Sequence, residues 1–403
     1  MINTEIKNTG GTLAPGLKEI LEGYVERGEI PGLAALVSRN GMVQVETAGT
    51  LALGENVPVQ RDSIFRISSM TKPVTAVAAM ILVEECKLRL DDPVDIWLPE
   101  LADRKVLKKV DGPLSETVQA SRPITLRDLL TLRMGMGHLL NFNGTYPIQL
   151  ALQKYGILQG PPKPQHWPSP DKWIEQVGSL PLMYQPGEMW MYDLGLDVLG
   201  VLIARAAGQS LETFMQERIF GPLGMKDTAF SVPETKIGRL ATSYMPDYKT
   251  GKLSVYDEAE GGQWSRPPAF PMGSAGLVST VDDFQAFGQM MLNKGRYGDT
   301  RILSRPTVEL MTTNHLTRKQ ISGWELFLGE SSGWGFGMSV DIQRANLWSK
   351  PGNFGWSGGM GSTWACDPAE NLTGILLTQV GWTSPEPPRV CSDFWTCIYR
   401  NIG

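Results

Sequence analysis

The chain's first clear hydrophobic rhythm lies in PGLKEILEGYVERGEIPG. Leu17, Ile20, Leu21, Tyr24 and Val25 recur there at helical spacing, and Gly and Pro close the run. This pattern predicts an amphipathic helix. In LAALVSRNGMVQVETAGT two β-rich runs flank Asn40-Gly41, the dipeptide that best accepts the positive φ angles of a tight hairpin turn. MTKPVTAVAAMILVEE then reads as a largely apolar helix, the kind that is buried between layers.

From about Asp91 to Gln263 the signals are mostly helical. Thr125 is a good N-cap for TLRDLLTL, and LDVLGVLIARAAGQSLETFMQERIF supplies two helices broken near Gly208. GILQGPPKPQHWPSPDKW is a Pro-rich loop of the kind that lines or covers a cleft. Strand texture returns from about Pro271. SAGLVST precedes a helix capped by Thr280; GWGFGMSVDI, GSTWACD and NLTGILLTQV are β-like, and VCSDFWTCIYRNI closes the chain as a helix. Strands at both ends and helices between predict an α/β (α+β) fold. Residues 1–90 and 264–403 build one mixed antiparallel sheet with flanking helices, and residues 91–263 form a mainly helical subdomain. The cleft belongs where these parts meet.

Composition narrows the function. Charged residues make up 20% and the net charge is −5, which speaks against a nucleic-acid or anionic-membrane partner. The opening MINTEIKNTGGTLAPG has no basic start followed by an apolar run, and no stretch approaches the roughly 18 apolar residues of a membrane span. These features predict a soluble, cytoplasmic chain. Cys86, Cys366, Cys391 and Cys397 show no C-x-x-C spacing and read as thiols, with a Cys391–Cys397 bridge left open. His138, His166 and His315 form no metal-ligand pattern, so neither metal nor other cofactor is expected.

Two serine patterns compete for the chemistry. Gly355-Trp356-Ser357-Gly358-Gly359 spells the G-x-S-x-G of a nucleophile elbow. An elbow needs a following helix and a later histidine, yet MGSTWACDP reads as a strand and no histidine follows His315. Ser69-Met70-Thr71-Lys72 offers a better case. Ser69 opens the apolar helix and Lys72 lies one turn on, on the same face. A lysine amine can take a serine's proton if burial or a nearby positive charge lowers its pKa, and a helix N-terminus favours an oxyanion. A second copy, Ser169-Pro170-Asp171-Lys172, has the plain form of a helix start.

Four blocks in order carry a family resemblance: IFRISSMTKPVTAVAAMILVEECKLRLDDPVDIWLPEL, then LPLMYQPGEMWMYDLGLDVLG, then GSAGLVSTVDDFQAFGQMMLNKG, then FGWSGGMGSTWACDP. Together they resemble serine β-lactamases and penicillin-binding proteins, and most of all the family VIII carboxylesterases, which share the class C β-lactamase fold. The resemblance implies Ser69 as nucleophile, Lys72 as its proton-transfer partner and Tyr192 as a second general base or acid. It also implies an oxyanion hole from the backbone N–H groups of Ser69 and Gly359. Tyr192-Asp193-Leu194 stands where lactamase-type enzymes have Tyr-x-Asn, and Trp356-Ser357-Gly358 where they have Lys-Thr-Gly. Loss of the amide and of the cation favours neutral, fairly hydrophobic esters over charged β-lactams. Lys249-Thr250-Gly251 and Tyr399-Arg400-Asn401 spell the lactamase motifs correctly, but in the wrong places. The expected activity is therefore a serine carboxylesterase acting on a small-molecule ester. An acyltransferase of the same fold is the alternative, ahead of a β-lactamase or peptidase and of a non-catalytic binding protein.

Overall fold

The computed structural model describes residues 12–140, 145–157, 160–247 and 249–402. The opening MINTEIKNTGG, Leu158 and Gln159 of the Pro-rich loop, and Tyr248 lie outside them.

The amphipathic segment folds as helix α1 (Leu17–Glu26), which buries Leu17, Leu21 and Tyr24. Strands β1 (Gly32–Arg39) and β2 (Met42–Gly49) follow, and the turn between them places Asn40 at φ 52° and Gly41 at φ 81°, as the dipeptide predicts. Helix α2 (Thr71–Glu84) is buried continuously from Thr71 to Leu82. In the middle of the chain, helix α3 (Gly195–Ala207) ends at Gly208, which adopts the left-handed conformation that stops a helix. Thr125 caps Leu126–Leu130 through a capping box with Asp128. Helix α4 (Val281–Leu292) begins at Thr280, whose hydroxyl accepts from the Asp283 amide.

The last stretch supplies β3 (Ser332–Trp334), β4 (Ser339–Asp341), β5 (Phe354–Gly358), β6 (Ser362–Asp367) and β7 (Leu372–Thr378), then helix α5 (Arg389–Tyr399). These five strands join the N-terminal hairpin in one seven-stranded sheet, ordered β3-β4-β5-β6-β7-β1-β2 and antiparallel at every pairing. The segment GWGFGMSVDI, which reads as a single strand, is two: Gly335–Gly337 turn the chain between β3 and β4, with Gly337 at φ 75°.

Alternation along the central strands explains the layering. Leu33, Ala35 and Val37 of β1, with Leu372 and Leu376 of β7, pack against α1 and α5. Ala34, Leu36, Ile375 and Leu377 face the other way, into the large core shared with α2, α3 and α4. The middle of the chain also contains two short ribbons, Lys105–Leu107 with Thr117–Gln119 and Ser243–Pro246 with Leu253–Asp257. Cys86, Cys366, Cys391 and Cys397 are all free thiols, so the Cys391–Cys397 bridge is not formed. Among the described residues no helix is long and apolar enough to cross a membrane.

One buried ion pair anchors the segment that leads into α2. Arg66 and Asp257 are 3% and 5% exposed, and the Arg66 Nε donates to Asp257 Oδ2 at 2.8 Å. Arg66 also donates to the Ala241 and Glu258 carbonyls, which ties the short strand Phe65–Arg66 to the ribbon that ends at Asp257. Removing one member of such a pair strands the other charge away from water. Arg66→Met is expected to lower stability by about 3–5 kcal/mol, read as a shift in the urea unfolding midpoint.

Candidate active site

Ser69 lies in a single 3-10 turn, Ser68–Met70, immediately before α2. Ser68 holds φ 45°, a left-handed conformation that is costly for a non-glycine residue and that recurs at functional turns. The turn is clamped on both sides. The Ile67 amide donates to the Leu277 carbonyl, and the Ile67 carbonyl accepts from the Ser362 hydroxyl at 2.9 Å.

Lys72, in the first turn of α2, is 0% exposed. Its Nζ donates to Ser69 Oγ at 2.9 Å, to the Ser274 carbonyl at 2.9 Å and to Asp193 Oδ2 at 3.2 Å. Tyr192 arrives from the segment before α3. Its hydroxyl donates to Ser69 Oγ at 2.7 Å, and Lys72 Nζ lies 4.3 Å from the centre of its ring. Ser69, Lys72 and Tyr192 thus meet at one oxygen.

The electrostatics differ from the expectation of a lysine depressed by burial. Burial does press the Lys72 pKa down, but the Tyr192 and Asp193 groups outweigh it and the net shift is upward. Tyr192 is also raised, by burial first and by Asp193 in the same direction, although Lys72 and the Ser69 hydrogen bond pull the other way. Both shifts favour the protonated forms, in which Lys72 Nζ and the Tyr192 hydroxyl each donate to Ser69 Oγ. Asp193 is held below the usual carboxylate range despite its burial, because Lys72 and His138 favour its charge.

The stretch from Trp356 to Gly359 forms the facing wall. The sequence predicts Trp356 as an apolar ring. It does pack edge-on against Trp334, with centroids 4.7 Å apart, but its indole N–H also donates to the Tyr192 hydroxyl at 2.9 Å. Ser357 lies within β5, its Oγ donating to Thr363 Oγ1 at 2.9 Å, with no helix following as an elbow requires. Gly358 lets the strand press on the Ser69 segment: a Cβ there would sit 2.2 Å from the Ile67 carbonyl oxygen. Gly359 lines the same cavity as Ser69, and a Cβ on it would meet nothing within 4 Å.

The other spellings lie elsewhere. Lys249-Thr250-Gly251 is an exposed turn between the strands Ser243–Pro246 and Leu253–Asp257. Tyr399 ends α5 and donates to Asp367 Oδ2 at 3.0 Å. Ser169 precedes the helix Pro170–Ser179 without a side-chain cap bond, and Lys172 pairs with Glu175 at 3.0 Å on the surface.

A cavity of about 730 Å³ opens over Ser69. Its wall includes Tyr192, Phe327, Trp356 and, from the Pro-rich loop, Gly160, Pro161 and Pro162. Among the described residues no Lys or Arg lines it, whereas Asp193, Asp341, Asp367 and Glu386 do.

The chain that brings these groups together is matched over residues 17–388 by a family model described as Beta-lactamase. The chain belongs to the Beta-lactamase family. It is similar to Protein Rv1367c of Mycobacterium tuberculosis, with 37% identity over 364 residues that cover 88% of this chain and 87% of that protein. It is also similar to Esterase EstB of Burkholderia gladioli, with 30% identity over 398 residues, 94% of this chain and 93% of that one. Among solved structures, EstCE1, described as a hydrolase with promiscuous acyltransferase activity, superposes with a TM-score of 0.79 at 25% identity. The match covers 96% of this chain and 98% of that one.

In this Beta-lactamase-family site, reasoning from sequence passes over Asp193 and His138. Asp193 occupies the free middle position of Tyr-x-Asn, where a motif carries no information. Behind it lies Asp197, 1% exposed, which accepts from the Ser274 amide at 2.9 Å; burial and the Asp193 charge push its carboxyl up to about 7. A carboxyl raised on folding makes the native state bind more protons than the unfolded chain, so its contribution to stability falls as pH rises from about 4 to about 7. Asp193, shifted downward, titrates below that window. Asp197→Asn should therefore gain stability relative to wild type as pH rises from 4 to 7, with a slope on the order of 1.4 kcal/mol per pH unit. Urea unfolding of both proteins across that range measures it.

Proposed function

We propose that the protein is a serine carboxylesterase that hydrolyses neutral, fairly hydrophobic esters through an acyl-enzyme on Ser69. The observation that carries this reading is the pair of contacts to one oxygen: Lys72 Nζ at 2.9 Å and the Tyr192 hydroxyl at 2.7 Å from Ser69 Oγ. Once the Lys72–Tyr192 pair has lost one proton, it can accept the Ser69 proton as Oγ bonds to the ester carbonyl carbon. The carbonyl π electrons move onto oxygen, which receives hydrogen bonds from the amides of Ser69 and Gly359. Collapse of this intermediate breaks the bond to the alkoxy oxygen, and the leaving alcohol takes the proton back. Water then repeats the sequence at the acyl carbonyl, releasing the acid and restoring Ser69.

The wall supports neutral substrates. Among the described residues no Lys or Arg lines the wall to receive a substrate carboxylate, and Trp356, Phe327 and Leu326 offer apolar contact. Turnover of β-lactams, which carry such a carboxylate, is a minor activity on this reading. The similarity to Esterase EstB agrees with it.

A second reading is transfer of the acyl group to an alcohol in place of water. The cavity, far larger than a short ester, leaves room for an acceptor beside the acyl-enzyme, and the description of EstCE1 names both activities. An added alcohol that diverts product from free acid to a new ester would favour it. For either reading, Ser69→Ala should lower kcat/KM for a short-chain aryl ester by about 10⁴-fold or more, and mass spectrometry should find a phosphonate adduct on Ser69 in the wild type alone. Retained turnover in the variant would sink both.

A further inference from the structure

Two polar groups beside the serine take no part in the steps of that reaction. Asp193 reaches Lys72 Nζ with Oδ2 at 3.2 Å and His138 Nε2 with Oδ1 at 3.2 Å, so one carboxylate bridges a buried ammonium and an imidazole on the cavity wall. We propose that Asp193, held in place by His138, is a positioning residue that fixes the Lys72 ammonium against Ser69 and governs when the Lys72–Tyr192 pair gives up its proton. This rests on the reading of Ser69 as nucleophile.

The local fold is built for the contact. Gly137 lets the loop before His138 lie on the backbone of the Tyr192 segment, since a Cβ there would sit 2.6 Å from the Tyr192 carbonyl oxygen. The His138 amide then donates to that same carbonyl, and the His138 ring meets the Tyr192 ring edge-on with centroids 5.8 Å apart. Burial and the Lys72 charge keep His138 toward its neutral form, against the pull of Asp193. With its proton on Nε2, a neutral imidazole at this distance can donate to the carboxylate and orient it without competing with Lys72 for charge.

The titratable groups facing Lys72 are few. Tyr192 and Asp193 approach from the segment before α3, Asp197 from the first turn of α3, and His138 acts through Asp193. The Asp193 charge stabilises the ammonium and opposes a phenolate on Tyr192. Whichever group receives the serine proton, removing that charge therefore lowers the pH at which the pair becomes a base. Asp197 offsets only part of the loss, because its Oδ1 accepts from the Ser274 amide and not from Lys72.

The test follows the rate at which a serine-reactive phosphonate labels Ser69, and the turnover of a short-chain aryl ester, across pH. In Asp193→Asn the midpoint of the rising limb should move down by about 1–3 pH units relative to wild type. Asp193→Glu, which keeps the charge, should return the midpoint toward wild type. His138→Ala should lower kcat while KM holds, and His138→Gln, which keeps an N–H donor, should restore it. These last two variants decide the matter if Asp193→Asn does not fold. A wild-type midpoint in Asp193→Asn, or equal kcat in the two His138 variants, overturns the proposal while labelling of wild-type Ser69 keeps the nucleophile reading. An unlabelled Ser69 in the wild type overturns both.

Discussion

An ammonium that water does not reach must be balanced by the protein itself, and Lys72 places that demand at the centre of the fold. Taking such an ion out of water costs several kcal/mol unless partners surround it. The partners lie far off in sequence: Asp193 is 121 positions away and the Ser274 carbonyl 202. A serine turn, the approach to α3 and the loop ahead of α4 must therefore all converge on one nitrogen. Helix α2, buried along nearly all its length, is the element that carries Lys72 to this point of convergence.

The sheet completes the site from the other side. β7 pairs with β1 in the register Leu36–Ile375, which carries the C-terminal strands onto the N-terminal hairpin. β5 and β6 then present Trp356, Gly358 and Ser362 to the segment that holds Ser69. The Arg66–Asp257 pair tethers that segment from below. The unusual φ of Ser68 is over-determined by these contacts, as a strained turn must be if it is to persist.

Features set by neighbours along the chain are legible in the sequence alone. The N-terminal helix, the Asn40-Gly41 hairpin, the caps at Thr125 and Thr280 and the stop at Gly208 all follow from periodicity or turn chemistry acting over a few residues. The decoy motifs can be set aside for the same reason, since each lies in a local context that explains it. Contacts across the fold are not legible in this way. Asp193 sits at a position that a motif leaves free, so only its approach to Lys72 gives it meaning. The direction of the Lys72 shift is hidden likewise: burial of α2 can be read from its apolar run, but the charges that outweigh burial come from another part of the chain. Trp356 reads as an apolar ring in a sequence, and the hydrogen bond from its N–H depends on where β5 meets Tyr192.

That hydrogen bond explains how the site does without a second cation. A lysine at the position of Trp356 would place another ammonium beside Tyr192, with Asp193 already committed to Lys72. The indole supplies a donor to the Tyr192 oxygen and brings no charge to be balanced. Lys72 and Asp193 then form a neutral pair, which suits the neutral ester of the proposed reaction because it meets no unpaired charge at the serine. In the proposed reaction, negative charge first builds on the substrate's carbonyl oxygen. The amides of Ser69 and Gly359 then receive it, so the stabilisation is directed at the transition state and not at the bound ester. A substrate carboxylate would forfeit that advantage, because no Lys or Arg among the described residues lines the cavity to receive it.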